Sequence, residues 1–228
     1  MRISVIVPAL NEATAISETL EALWPFRAAG HEVIVVDGGS SDGTVTIAQP
    51  LSDRVLRTAC GRAQQMNAGA QTAVGEVLVF VHADTRLPPN AVSVIADAFE
   101  DGVAWTHFDV SLTSTQWLLR VVAALMNARS RLTGIVTGDH AISVRRDAFL
   151  ACGGFPDIPL MEDVELSRRL KAREGPPVCL REKVITSSRR WESRGVLRTI
   201  LLMWHLRLAY FCGADPARLA ARYNTVNR

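Results

Sequence analysis

The chain has no long apolar run, no clustered cysteines and almost no excess of either charge. No uncharged hydrophobic stretch reaches the roughly 18–20 residues of a membrane-spanning helix, so a soluble or at most peripheral protein is expected. Cys60, Cys152, Cys179 and Cys212 are scattered without CxxC or zinc-type spacing and read as reduced thiols in the cytoplasm. The start, Met1-Arg2-Ile3-Ser4-Val5-Ile6-Val7-Pro8, is too short in apolar residues for a signal peptide and reads as a first strand. A net charge of +2 is too small to point to nucleic acid, and none is expected as a partner. After the first strand there is no GxGxxG, which argues against a dinucleotide oxidoreductase. A nucleotidyltransferase would normally show a Gly-rich phosphate loop with a following Lys, and that is missing too.

What is present is ordinary for a globular enzyme: 228 residues, 48% hydrophobic and 21% charged. The length suits one domain. Strands are expected at Ile3–Val7, Glu32–Val36, Val55–Arg57 and Val77–Val81, with helices at Glu12–Ala29, Thr44 onward and Arg62–Thr72. This βαβαβ order predicts a Rossmann-like α/β fold. In the second half, helices are expected at Ala91–Phe99, Gln116–Leu132, Glu162–Arg173 and Val196–Phe211. Strands are expected at Val103–Val110, Ala141–Val144 and within Val178–Ser187. Without a linker or repeat, the chain reads as a single domain over 1–228, with a nucleotide-binding half (1–85) and an acceptor half (86–228).

The run Val77-Leu78-Val79-Phe80-Val81 stops at His82-Ala83-Asp84-Thr85, delivering a carboxylate to the carboxyl edge of a sheet, where open α/β sheets bind ligands. Asp37 and Asp42 fall at or just past another strand end. Three acids at one edge repel one another unless a cation, a ligand or an arginine compensates them. For Asp42, helix capping is as good a reading as ligand contact. Asp37, directly at its strand end, is assigned to the ligand.

Val5-Ile6-Val7-Pro8-Ala9-Leu10-Asn11-Glu12, the segment Val35 to Thr44 around Asp-Gly-Gly-Ser-Ser-Asp-Gly, Gly61-Arg62 with Asn67-Ala68-Gly69-Ala70, and the strand to Asp84 together resemble family 2 glycosyltransferases of the GT-A fold. The order and spacing hold over about the first 85 residues. The resemblance implies a mixed, mainly parallel sheet flanked by helices and a nucleoside-diphosphate sugar as donor. Pro8, Ala9, Asn11 and Glu12 would border the nucleotide, Asp37 would contact the base, and Arg62 would lie beside base or phosphate. Asp84 matches the last acid of the DXD motif and would bind Mn²⁺ or Mg²⁺ against the diphosphate. The chain departs from the family at His82, which stands where a first Asp is common. It could be a ligand, a diphosphate donor or a strand-end imidazole.

Gly153-Gly154-Phe155-Pro156 followed by Met161-Glu162-Asp163-Val164-Glu165-Leu166 resembles the family's acceptor-side motif, whose Asp is the catalytic base. By itself this acidic first turn could be simple compensation of the helix dipole. The resemblance makes Asp163 the expected base, with Glu162 next. Asp139, in Gly138-Asp139-His140, is expected at the sugar or acceptor pocket. Arg190 and Trp191 match the end of the QxxRW of processive relatives, for diphosphate neutralisation and sugar stacking. Ser187 replaces its Gln, which favours transfer of a single sugar.

The second-half motifs also resemble a narrower soluble subgroup associated with arsenosugar biosynthesis. The helix Val196–Phe211, apolar nearly all round, is expected to be packed against the sheet, with His205 in the core. Peripheral contact with the inner membrane face and a homodimer contact are the other readings. The expected activity is inverting, metal-dependent transfer to an unidentified acceptor hydroxyl. A non-catalytic sugar-nucleotide-binding or membrane-surface partner and a nucleotidyltransferase are the alternatives.

Overall fold

The computed structural model describes residues 1–225. Eight strands form one sheet: β1 (Ile3–Ala9), β2 (Glu32–Asp37), β3 (Arg54–Arg57), β4 (Val77–Phe80), β5 (Thr85–Arg86), β6 (Trp105–Leu112), β7 (Ile142–Arg145) and β8 (Val178–Thr186). The helices are α1 (Ile16–Ala22), α2 (Trp24–Ala28), α3 (Thr44–Leu51), α4 (Arg62–Thr72), α5 (Ala91–Glu100), α6 (Trp117–Thr133), α7 (Arg146–Ala151), α8 (Glu162–Glu174), α9 (Arg189–Arg194), α10 (Val196–Phe211) and α11 (Pro216–Thr225). A short 3-10 turn covers Gly138–His140.

The strand order is β3-β2-β1-β4-β7-β6-β8-β5. The first four pair in parallel; β7 runs antiparallel to β4 and β6, and β5 antiparallel to β8. The chain therefore moves outward from β1 to β3 on one side and returns to β4 on the other. That reversal opens a crevice beyond the carboxyl ends of β1 and β4, the place such sheets bind ligands.

The continuous apolar runs of β1, β2 and β4 have their cause in this position: both faces of each strand are covered. Ile3, Val5, Val7, Val33, Val35, Val77 and Val79 pack on one side with Ile16, Leu20 and Leu23 of the α1 region and Ile95 of α5. Ile6, Ile34, Val36, Leu78 and Phe80 pack on the other with Met66 of α4, Phe149 of α7 and Leu166 of α8. Leu20 is 1% exposed, and truncating it to alanine is expected to cost about 2–5 kcal/mol. Gly69 lets α4 lie against the sheet, since a Cβ there would sit 2.5 Å from Ile6 Cγ2.

Several expectations need correction. The helix expected over Glu12–Ala29 is two short helices, with Pro25 in the first turn of α2, where it lacks no needed N–H. The strand β5 and the helices α7, α9 and α11 have no counterpart among the expected elements. The helix α10 is not sealed in the core: only Thr199 and Leu206 are buried, while Leu197, Leu201, Trp204, Leu208 and Phe211 are exposed. His205 is likewise exposed, 2.9 Å from an Arg222 nitrogen, and is not a core histidine. All four cysteines are free thiols, as expected. Among the described residues, no helix is long and apolar enough to cross a membrane.

Candidate functional site

A cleft of about 1260 Å³ begins at the carboxyl ends of β1 and β4 and extends between α6, α8 and α10. At its sheet end, Pro8 and Ala9 of β1 and Asp84 beyond β4 form the wall. Gln65 of α4 holds this edge together, donating from Nε2 to the carbonyls of Ala9 at 2.8 Å and Val36 at 2.7 Å. It was not picked out from sequence, because a glutamine inside an amphipathic helix has no distinguishing pattern.

Asp84 is positioned by pairing beyond β4. Thr85 of β5 lies opposite Thr186 of β8, and the Ser187 N–H donates to the Asp84 carbonyl at 3.2 Å. The chain then turns into α9, whose first residue, Arg189, sits over the same edge. Its guanidinium lies 2.9 Å from a Glu12 carboxylate oxygen and 3.7 Å from one of Asp84. The carboxylates hold its pKa above the ordinary value, Glu12 most strongly through a hydrogen bond. Arg189 is the principal site residue the sequence reading passed over. The sequence pattern points to its neighbour Arg190, whose side chain lies outside the described residues. Trp191 does line the cleft, and it also packs on the cluster of Leu112, Leu119, Val122 and Ala123.

The opposite end is built on the first turn of α8. The Asp163 carboxylate, partly exposed to the cleft, accepts from the Gly138 N–H at 2.8 Å and the Val164 N–H at 2.7 Å. Glu162 is buried, with Arg62 Nη1 3.4 Å away. Burial raises the Glu162 pKa, as does the Asp163 charge, with Arg62 opposing. Burial works against the Arg62 charge, but Glu162, Asp163 and Asp139 outweigh it and leave its pKa raised.

His82 and Asp139 close the middle of the cleft. The His82 Nδ1 lies 3.4 Å from an Asp139 carboxylate oxygen, so the imidazole that replaces a common acid is paired with an acid from the acceptor half. Its Nε2 is buried without a partner and faces Gly138, where a Cβ would approach to 2.2 Å. The glycine of Gly138-Asp139 is thus required by close packing, and the same residue's N–H holds Asp163.

Two expected nucleotide contacts do not lie on the cleft wall. Asp37 is 1% exposed, and its oxygens accept from the backbone N–H groups of Gly39 and Ser40 at 3.1–3.2 Å. Asn11, in the left-handed region at φ 55°, receives the Ser41 N–H at 2.9 Å and gives its own N–H to Ser40 Oγ. Both side chains brace the 38–43 loop against β1. Asp42 likewise ties that loop to its neighbours, accepting from the Thr44 and Ala13 N–H groups.

This arrangement, a parallel half that brings Asp84 to its carboxyl edge and a mixed half whose helix α8 lays Asp163 over the same cleft, is the GT-A fold. The chain belongs to glycosyl transferase family 2, which matches residues 4–149. It is similar to a mannosyltransferase, PcManGT from Pyrobaculum calidifontis, in complex with GDP-Man and Mn²⁺. That likeness has a TM-score of 0.69 at 22% identity, covering 99% of this chain and 69% of the other. It is also similar to S. aureus TarS 1–349 in complex with UDP-GlcNAc, with a TM-score of 0.68 at 21% identity over 82% of this chain and 58% of TarS. Among curated relatives, an uncharacterized protein of Mycobacterium tuberculosis is 30% identical over 75% of this chain and 62% of its own length. An undecaprenyl-phosphate 4-deoxy-4-formamido-L-arabinose transferase of Edwardsiella ictaluri is 26% identical over 63% of this chain and 48% of its own. The chain thus matches about half to three fifths of the length of these two curated relatives.

Proposed function

We propose that the protein moves one sugar from a nucleoside-diphosphate sugar to an acceptor hydroxyl by an inverting single displacement. The observation that carries this reading is one cleft with Asp84 at the sheet edge and Asp163, fixed by the Gly138 N–H, at the other end. The nucleotide lies along Pro8, Ala9, Glu12 and Arg62, with its diphosphate toward Asp84 and Arg189. Asn11 and Asp37 support this end by shaping the 38–43 loop, and base contact by Asp37 would run through that loop.

Asp84 would hold Mn²⁺ or Mg²⁺. Among the described residues, no three His, Cys, Asp or Glu side chains come together to cage a metal. A lone carboxylate suits a cation that takes its other ligands from the diphosphate and water. Held there, it would offset the negative charge that grows on the leaving diphosphate.

Asp163 acts as the base. Each of its oxygens keeps a lone pair beyond the backbone N–H it accepts. The acceptor hydroxyl gives its proton to Asp163 as its oxygen bonds the anomeric carbon, and the bond to the diphosphate oxygen breaks. Glu162, turned to Arg62, acts as a positioning residue for that guanidinium. Asp139 would bind sugar hydroxyls, and Trp191 lines the same cleft. Arg190 retains its proposed part at the diphosphate. The narrower resemblance puts an arsenic-containing sugar pathway among the sources of acceptor to try.

A thermal-shift panel of UDP, GDP, dTDP and their sugars, with and without Mn²⁺, tests the donor side. A ligand at about 100 times its Kd adds roughly 2.7 kcal/mol, a rise of about 5–10 °C for a domain of this size. Metal-dependent stabilisation by one nucleotide, with slow release of its diphosphate, supports the reading. Stabilisation by none contradicts it.

A further inference from the structure

Beyond Asp163 the cleft changes character. Leu125 and Leu132 of α6 and Trp204 of α10 line it while being 57%, 86% and 64% exposed, so it opens to solvent through an apolar mouth between these helices. Two arginines stand inside that mouth: Arg129 of α6 and Arg207 of α10. Neither forms an ion pair or side-chain hydrogen bond among the described residues, and the Nε and Nη2 of Arg129 are buried with no partner. This is unusual in a chain whose other cleft arginines, Arg62 and Arg189, each have a carboxylate within 3.4 Å.

Unpaired guanidiniums in an apolar cavity are costly, and the cost disappears when an anion fills the space between them. Burial, and next the charge of Arg207, brings Arg129 down to about 10, so it stays charged at neutral pH. Burial also lowers Arg207. The carboxylates that act on both are Asp163 and Asp139, not Asp84. The pair therefore serves the base end of the cleft rather than the donor diphosphate.

We propose that Arg129 and Arg207 form an anion subsite for the acceptor, which is an amphiphile bearing a phosphate on an apolar body. Two guanidiniums match the roughly −1.5 to −2 charge of a phosphate monoester, and each offers a planar fork to its oxygens. The acceptor hydroxyl lies at Asp163, the phosphate between the arginines, and the apolar body leaves past Leu125, Leu132 and Trp204. This assignment rests on the sugar-transfer reading for the identity of the ligand as acceptor.

Isothermal titration calorimetry of the whole protein with octyl phosphate, octyl glucoside and inorganic phosphate, all below micelle-forming concentrations, tests it. The wild type is expected to bind octyl phosphate at least about tenfold more tightly than either other probe. The Arg129→Gln/Arg207→Gln double variant should lose the advantage over octyl glucoside, and Arg129→Lys/Arg207→Lys should keep part of it. Nucleotide affinity, measured in the same samples, should change by less than about threefold, since the donor end is untouched. Absence of the preference in the wild type, or its survival in the glutamine variant, would overturn the subsite. Octyl phosphate binding no better than inorganic phosphate would overturn the apolar body. Failure of the wild type to bind any nucleotide would count against the transfer reading instead.

Discussion

The Arg189 guanidinium lies 3.7 Å from the Asp84 carboxylate, so the acid expected to meet a divalent cation already has a positive neighbour. A metal arriving alone must compete with it. A metal arriving with a diphosphate would not need to, because the phosphates would accept the Arg189 N–H groups. Mn²⁺ and the nucleotide should therefore strengthen each other's binding, by about 5–150-fold. Free Mn²⁺ followed by electron paramagnetic resonance, with and without the nucleotide, measures this. Arg189→Gln should weaken nucleotide binding about tenfold and strengthen binding of the metal alone. Equal Mn²⁺ affinity with and without nucleotide would contradict the coupling.

Gly138 carries two jobs, and an alanine there should break one of them. The added Cβ would sit 2.2 Å from His82 Nε2, forcing the imidazole off Asp139. We expect Gly138→Ala to cost about 1–3 kcal/mol in urea unfolding. His82→Ala in the same chain should return most of it by making room. No recovery in the double variant would show that the strain lies elsewhere.

His140 sets an acid limit on stability. Its ring is fully buried against His107, with Nδ1 2.9 Å from the Phe108 carbonyl, and burial drives its pKa down to about 3. A base whose folded pKa lies below its unfolded 6.5 binds fewer protons folded than unfolded. Its contribution is complete above pH 6.5 and is lost as pH falls from 6.5 toward 3. His140→Asn, which keeps a donor for the Phe108 carbonyl, should flatten the stability curve between about pH 6.5 and 5. An unchanged slope would remove His140 as its cause.

A second, more acidic window belongs to Glu165. Its carboxylate accepts from Arg168 at 2.8 Å and from Arg169 at 2.9 Å, and these bonds, Arg168 first, bring it down to about 2. A carboxyl with a depressed folded pKa stabilises above its usual 4.5, and that stability fades as pH falls toward 2. Because Arg168 is 64% exposed, the value at neutral pH is discounted for solvent screening. Glu165→Gln should cost about 1 kcal/mol at pH 7, with the cost shrinking steadily as pH falls toward 2, by chemical denaturation.

The parts of this molecule that were legible in the sequence are those with continuous patterns. The strands β1, β2 and β4 are apolar on both faces, and the polar residues ending them mark the ligand edge. Asp84 stands out by its position at a strand end, whereas the first helical turn alone leaves Asp163 open to helix-dipole compensation, and only the resemblance of its surrounding motif singles it out. Arg189 does not stand out, because preferring it to Arg190 depends on where α9 starts and how it turns back to Glu12. The same limit hid Arg129 and Arg207: each interrupts an apolar helix, and only the docking of α10 across α6 shows that they face one space. The immediate contacts of Asp37 were hidden for a related reason. A carboxylate at a strand end has acceptor sites for both a ligand and its own loop, and the loop contacts, from the Gly39 and Ser40 N–H groups, depend on how the 38–43 segment turns.

In the proposed reaction Asp163 takes the acceptor's proton while the sheet end of the cleft holds the donor. Steady-state sugar transfer by Asp163→Asn, set beside its donor affinity, tests this most directly. Transfer should fall by about 10²–10⁴-fold, the usual contribution of a general base, while the donor Kd stays within about threefold. Transfer near the wild-type rate, with the donor bound as before, would contradict the account.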